Sequence, residues 1–321
     1  MEIIAIEEHA TTPALRKLLE KGPANEMLAA ITPRLADLGE GRLKAMDEAG
    51  ITMQVLSIAA LGLESLAAEE REALFRDAND LLAGAVRQHP TRFSAFATLA
   101  LDHPEAAATE FERCVRQLGF VGALVDGTVN GRFLDAPEFE PLFATAEALD
   151  VPIYLHPAPP PPGVMQAYFS DLPPGVGPLL ARAGWGWHVE TGLHVLRLIV
   201  SGLFDRHPRL RLIVGHMGEN LPFSLVRADT VLGRVTRHLE RGVSETFLEH
   251  FWITTSGYFS HPPFLCALQV VGAARILFSV DYPFSENKVA RSFLDSLAVS
   301  PADRERIASG NARQILRLAT R

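Results

Sequence analysis

Lysine is scarce in this chain: only Lys17, Lys21, Lys44 and Lys288 occur among its 321 residues. With a formal charge of -8 and a pI near 5.8, that leaves no basic surface for nucleic acid and no polybasic patch for an anionic membrane. Cysteine is scarcer still. Cys114 and Cys266 both sit in apolar surroundings, which suits free buried thiols better than a disulfide. No apolar run is long enough to cross a bilayer, since Arg197 and Arg206 bracket the most hydrophobic helical stretch. No secretory leader is expected either, because the chain runs at once into the strand-like Glu2-Ile3-Ile4-Ala5-Ile6. Low-complexity and single-sign charge tracts are missing, which excludes extensive disorder. A cytoplasmic, soluble protein is the expectation.

What is abundant is apolar sequence, at 48% of residues. It is organised as short, near-continuously hydrophobic runs at 2–7, 52–57, 93–98, 120–125, 151–156, 210–215, 251–255 and 276–280. Continuous rather than alternating hydrophobicity belongs to strands buried on both faces, as in a parallel sheet. Amphipathic stretches such as 69–88 and 137–149 lie between them. Eight strands alternating with helices predict one domain over residues 1–321, a (β/α)8 TIM barrel. The surplus length falls in a largely helical excursion at 10–50, after the first strand, and in a Pro- and Gly-rich loop at 157–188, after the fifth. Both would stand over the C-terminal mouth of the barrel.

Several predicted strands end in residues that bind metals or move protons. The first runs into Glu7-Glu8-His9, the fifth ends at His156, the sixth at His216 and the eighth at Asp281. In a barrel these ends share one rim. Glu7 and His9, two apart, lie on one side of an extended segment, with Glu8 opposite. Two imidazoles and two carboxylates (Glu7, His9, His156 and Asp281) suit one divalent ion, Zn²⁺ or Mn²⁺. Taken singly, His156 could simply end a strand and Asp281 could cap a helix; their joint placement favours the metal. Glu219, three residues beyond His216, could fix that ring's tautomer for acid/base work. A fifth ligand or a capping cluster is the alternative there. The other histidines sit mostly in helix or loop contexts and read as structural, His188 being the most ambiguous.

These residues occur within segments similar to a known family. EEH at 7–9, GFVGALVDG at 119–127, LDVPIYLHP at 149–157, LIVGHMGENLPF at 212–223, ITTSGYF at 253–259, RILFSVDYPF at 275–284 and GNAR at 310–313 resemble the decarboxylase branch of the amidohydrolase superfamily. That branch holds gamma-resorcylate and 2,3-dihydroxybenzoate decarboxylases and is related to aminocarboxymuconate semialdehyde decarboxylase. Most amidohydrolases open with His-x-His; Glu7 at the first position resembles the resorcylate-type enzymes. The strand ending at Val125-Asp126 lacks the lysine that binuclear members use, so a single ion is expected.

The resemblance implies that Glu7, His9, His156 and Asp281 ligate the ion and that His216, steadied by Glu219, is the acid/base group. It also implies an Arg227 that enters a neighbouring subunit's site, hence a homodimer or homotetramer. The implied reaction is metal-dependent, non-oxidative decarboxylation of a small ortho-hydroxybenzoate, by ring-carbon protonation and reversible loss of CO₂. Asp281 would be the proton donor, which calls for a raised pKa. Phe284, Trp187 and Tyr282 are candidates for contact with the aromatic ring or for core packing. A hydrolase or hydratase of the same superfamily is the alternative activity.

Overall fold

The computed structural model describes residues 1–19, 25–59 and 66–319. Lys21 lies outside these. Among the described residues there are nine parallel strands: β1 (Ile4–Ala10), β2 (Met53–Ile58), β3 (Phe93–Ala95), β4 (Ala97–Thr98), β5 (Ala123–Asp126), β6 (Ile153–His156), β7 (Leu212–Val214), β8 (Phe251–Thr254) and β9 (Ile276–Leu277). The single run expected at 93–98 is split at Phe96, so β3 closes one three-stranded ladder and β4 opens a six-stranded one. The two ladders are still joined: Val121 N–H bonds to Ala95 O at 3.0 Å and Phe96 N–H to Leu56 O at 2.9 Å. With β3 and β4 sharing one place, eight positions run round the ring. The ring closes where His9 N–H donates to Tyr282 O at 2.7 Å. The architecture is a (β/α)8 barrel.

Strand period two sorts side chains between the barrel interior and the helical layer. Ile4, Ile6, Met53, Val55, Phe96 and Tyr154 belong to the inner cluster, while Ile3, Ala5 and Leu56 pack outward with the helices. On β1 this alternation is interrupted. Ala5 pairs with Gln54 but Glu8 with Leu56, so three residues of β1 span two of β2. The extra residue of this bulge reverses the parity. Glu7 and His9, opposite in parity to Ile4 and Ile6, therefore turn inward, and Glu8 turns into the layer between strands and helices. There Glu8 accepts from Val280 N–H at 2.9 Å and Gln54 Nε2 at 3.1 Å. Burial pushes its carboxyl up to about 8.

The excursion after β1 is helical as expected, with Pro13–Leu19, Asn25–Ala36 and Glu40–Ala49. The Pro-rich segment after β6 is not a plain loop. It carries the short helices Pro162–Phe169 and Val176–Leu179, each with proline or glycine at its start, before the long helix Gly186–Val200. Among the described residues no helix is long and apolar enough to cross a membrane.

Candidate active site

Glu7, His9 and His156 present ligand-type atoms that all lie within 4.8 Å of one another, and all three side chains are buried. Each imidazole is held from behind. His9 Nδ1 lies 3.1 Å from Ser57 Oγ, and His156 Nδ1 lies 2.8 Å from Asp126 Oδ1. Both rings thereby turn Nε2 toward the mouth. His156 Nε2 is 3.4 Å from Glu7 Oε1, and His9 Nε2 is 3.3 Å from Asp281 Oδ1. Glu7 Oε2 is engaged by the Tyr154 hydroxyl, while Glu7 Oε1 is buried without a hydrogen-bond partner.

That donor set fits a divalent cation. Two ligand atoms bonded at ~2.0–2.1 Å in a tetrahedral shell stand about 3.3–3.4 Å apart, the separations seen here. An orphaned buried carboxylate oxygen beside imidazole nitrogens is what such an ion would satisfy. Asp281 meets the cluster only through His9. Its other oxygen, Oδ2, is 3.9 Å from His216 Nε2, so it stands between the ligand group and the acid/base group.

His216 follows β7 through Gly215. From His216 to Asn220 every residue has a positive φ, between 48° and 84°. Four of the five are not glycine, and left-handed backbone costs roughly 1–2 kcal/mol per such residue. Strain of this kind concentrates where side-chain aim matters. The turn brings His216 Nδ1 to 2.7 Å from Glu219 Oε1. Gly215 has no room for a side chain: a Cβ there would stand 2.9 Å from the Tyr154 hydroxyl and 3.1 Å from Glu7 Oε2.

Electrostatics divide the charges between the members. Burial disfavours a charged His216, but the Glu219 and Glu7 carboxylates outweigh it and raise the ring well above the usual histidine range. Burial alone would raise Asp281; its hydrogen bonds with His216 and His9 prevail and hold the carboxyl at about 2. The raised pKa expected of a proton-donating Asp281 is therefore not found. Two imidazoles on one carboxyl favour the anion more than burial opposes it. Glu219 is likewise held below the ordinary range, burial being overcome by His216 and His188.

The remaining expectations fare differently. Phe284 is partly exposed at the mouth, its ring edge-on to His9 at 5.5 Å. Trp187 stands at the start of the helix Gly186–Val200, with its indole N–H buried and unpartnered among the described residues. Tyr282 is buried under Arg42, 4.9 Å from its ring centroid, and belongs to the packing. Arg227 is exposed on the helix Leu221–Leu232, with no ion pair to any described residue. Asp126, met in the sequence only where a lysine was missing, turns out to orient His156. His188, read as structural, bonds Glu219 Oε2 through Nδ1 at 2.6 Å. No spacing rule marks either residue; both act through other side chains.

The Asp126 contact carries an expected result. Asp126→Ala frees the His156 ring, and loss of such a supporting carboxylate lowers metal affinity or activity by about 10–100-fold. Competition with a fluorescent chelator measures it; unchanged affinity and rate would show that the ring is held by packing alone.

Comparison with known proteins agrees with this geometry. The family described as amidohydrolase matches residues 9–318. The gamma-resorcylate decarboxylase of Polaromonas sp. strain JS666 is 39% identical over 327 residues, 98% of each chain. The crystal structure of a 2,6-dihydroxybenzoate decarboxylase complexed with 2,6-dihydroxybenzoate is 38% identical with a TM-score of 0.91, covering 99% of this chain and 100% of the other. A dihydroxybenzoic acid decarboxylase from the same Polaromonas strain, solved with bound manganese and the inhibitor 2-nitroresorcinol, is 37% identical with a TM-score of 0.90, covering 98% and 97%. The chain belongs to the amidohydrolase family, in the branch that holds the gamma-resorcylate decarboxylases.

Proposed function

We propose that this protein is a metal-dependent, non-oxidative decarboxylase of ortho-hydroxybenzoates, of the 2,6-dihydroxybenzoate or salicylate type. The observation that carries the proposal is one rim where a cation-ready cluster (Glu7, His9 and His156) meets the buried, Glu219-anchored imidazole of His216 across Asp281. Relatives that act on or hold dihydroxybenzoates support the substrate class.

Direct loss of CO₂ from an aryl carboxylate would leave an aryl anion. Protonating the ring carbon first avoids this, with the electron pair supplied by an ortho hydroxyl. A divalent ion, Zn²⁺ or Mn²⁺, held by Glu7, His9, His156 and Asp281 would supply template and Lewis-acid chemistry for the substrate's carboxylate and ortho oxygen. The chain's own residues handle the proton. His216 holds it at Nε2, facing Asp281 Oδ2, with Nδ1 anchored by Glu219. A substrate carboxylate entering beside Asp281 adds like charge, which raises that carboxyl's affinity for the proton. Asp281 then takes the proton from His216 and delivers it to the carbon bearing the carboxylate. Loss of CO₂ restores aromaticity, and the same steps run backward carboxylate the phenol. Phe284 and Trp187 flank the ring, and Phe284 holds water away from it.

The working form is a homodimer or homotetramer. Phe223 and Val226 lie 89% and 70% exposed beside Arg227 on one helix. Spacings of three and four residues put all three on one face, an apolar patch that a second copy would cover while Arg227 enters its site. The free thiols Cys114 and Cys266 suit a reducing cytoplasm.

The test is a substrate panel. Protein loaded with Mn²⁺ or Zn²⁺ is expected to release CO₂ from 2,6-dihydroxybenzoate, 2,3-dihydroxybenzoate or salicylate, and none from benzoate or 3-hydroxybenzoate. Release from benzoate at a comparable rate would remove the ring-protonation route. Silence on all the ortho-hydroxy acids would turn the search to lactones and unsaturated acids.

A further inference from the structure

The Glu219 carboxylate serves two imidazoles. Oε1 bonds His216 Nδ1 at 2.7 Å, and Oε2 bonds His188 Nδ1 at 2.6 Å. These three residues also form a second group of metal-capable side chains. Their separations argue against a second ion, since atoms sharing one at ~2.0–2.1 Å in tetrahedral geometry stand about 3.3 Å apart. Contacts of 2.6 and 2.7 Å are charge-assisted hydrogen bonds.

The chain goes to some length to build the second of these bonds. His188 and Gly192 lie one helical turn apart on the helix Gly186–Val200 and share a face. A Cβ at Gly192 would come 2.8 Å from Glu219 O, so this helix lies directly on the left-handed turn that carries His216. One turn earlier, the same face delivers His188 to the free side of the carboxylate. The His188 ring is buried. Its Nε2 faces Ala183 O at 3.2 Å, and its plane stands edge-on to Tyr258 at 5.3 Å and to His216 at 5.0 Å. The ring is thus fixed at both nitrogens and on its faces.

We infer that His188 is a positioning residue of the acid/base machinery: by holding the second oxygen of Glu219 it fixes the carboxylate plane, and through that plane the orientation of His216. The terminal torsion of a glutamate is intrinsically broad. A carboxylate anchored at one oxygen swings about it, and His216 swings with it. Anchored at both, it presents one acceptor at one place, so His216 donates from Nδ1 to Glu219 and keeps Nε2 aimed at Asp281. Removing His188 would also leave Glu219 Oε2 buried without a partner.

The rate part of this inference rests on the proposed decarboxylase activity; the ring-orientation part does not, and the experiment reads both. Three variants separate the roles. In His188→Asn the amide nitrogen replaces Nδ1 and still reaches Glu219. In His188→Gln the amide takes the place of Nε2, toward Ala183. His188→Leu removes both donors. In the Mn²⁺-loaded enzyme, His188→Leu and His188→Gln are expected to lower kcat on 2,6-dihydroxybenzoate by about 10–100-fold with KM unchanged, and His188→Asn to recover most of it. In the diamagnetic Zn²⁺-loaded protein, long-range ¹H–¹⁵N spectra of the imidazoles should show the downfield His216 Nδ1–H resonance in the wild type and His188→Asn, and its shift or broadening in the other two. If His188→Leu does not fold, the Asn–Gln pair decides alone. Wild-type kcat with an unmoved His216 resonance in His188→Gln would overturn the inference, as would equal impairment of Asn and Gln. If no form turns over the acid, the spectra still decide the role of His188, and it is the decarboxylase proposal that fails.

Discussion

Asp281→Asn is expected to lower kcat by roughly three to four orders of magnitude while the protein stays folded. Loss of a general acid costs on the order of 10²–10⁴-fold, and here the same carboxylate also faces the cation cluster. The substitution is chosen for its backbone. Asp281 sits at φ 72°, a conformation asparagine tolerates better than most residues. Its amide still reaches toward His9 and His216, which lie 3.3 and 3.9 Å from the two carboxylate oxygens. What disappears is the negative charge facing His216 and the oxygen that carries the proton to the ring. Steady-state rates and the unfolding temperature, taken together, separate chemistry from folding. A variant with near-normal turnover would refute the proton-donor role.

His216→Ala should cost on the order of 10²–10⁴-fold in kcat and keep its metal. The Glu219 and Glu7 carboxylates raise this ring's affinity for a proton against the opposing effect of burial. Its Nε2 stands 3.7 Å from Glu7 Oε1, outside the tighter 3.4 Å contact of His156, and its Nδ1 is committed to Glu219. Alanine at a φ of 48° is strained by about 1 kcal/mol, so His216→Asn serves as the control that tolerates this backbone. Metal content per chain is the deciding readout. Loss of the ion from both variants would make His216 a ligand rather than the acid/base group.

The barrel and most of its rim were legible because they depend on local pattern. Continuous apolar runs mark strands buried on both faces, and a strand's end marks the mouth. Glu7, His9, His156 and Asp281 are thus legible in the sequence itself. Less visible was why Glu7 and His9 face inward. That requires the β1 bulge, and nothing in EIIAIEEHA separates a bulged strand from a regular one. The left-handed turn at 216–220 is similarly silent, since four of its residues adopt a conformation their side chains disfavour. Asp126 and His188 escaped because their function is to hold another residue, a relation set by helix and strand packing across 30 residues of sequence in one case and 31 in the other. The charge state of Asp281 was misjudged for the same reason: burial could be anticipated, but two imidazoles converging on one carboxyl could not.

The measurement that tests the central claim most directly is CO₂ release from 2,6-dihydroxybenzoate by protein carrying one equivalent of Mn²⁺ per chain, before and after chelation. The account predicts turnover that disappears on chelation and returns on adding one equivalent of the ion. Full turnover by the chelated, metal-free protein would contradict it.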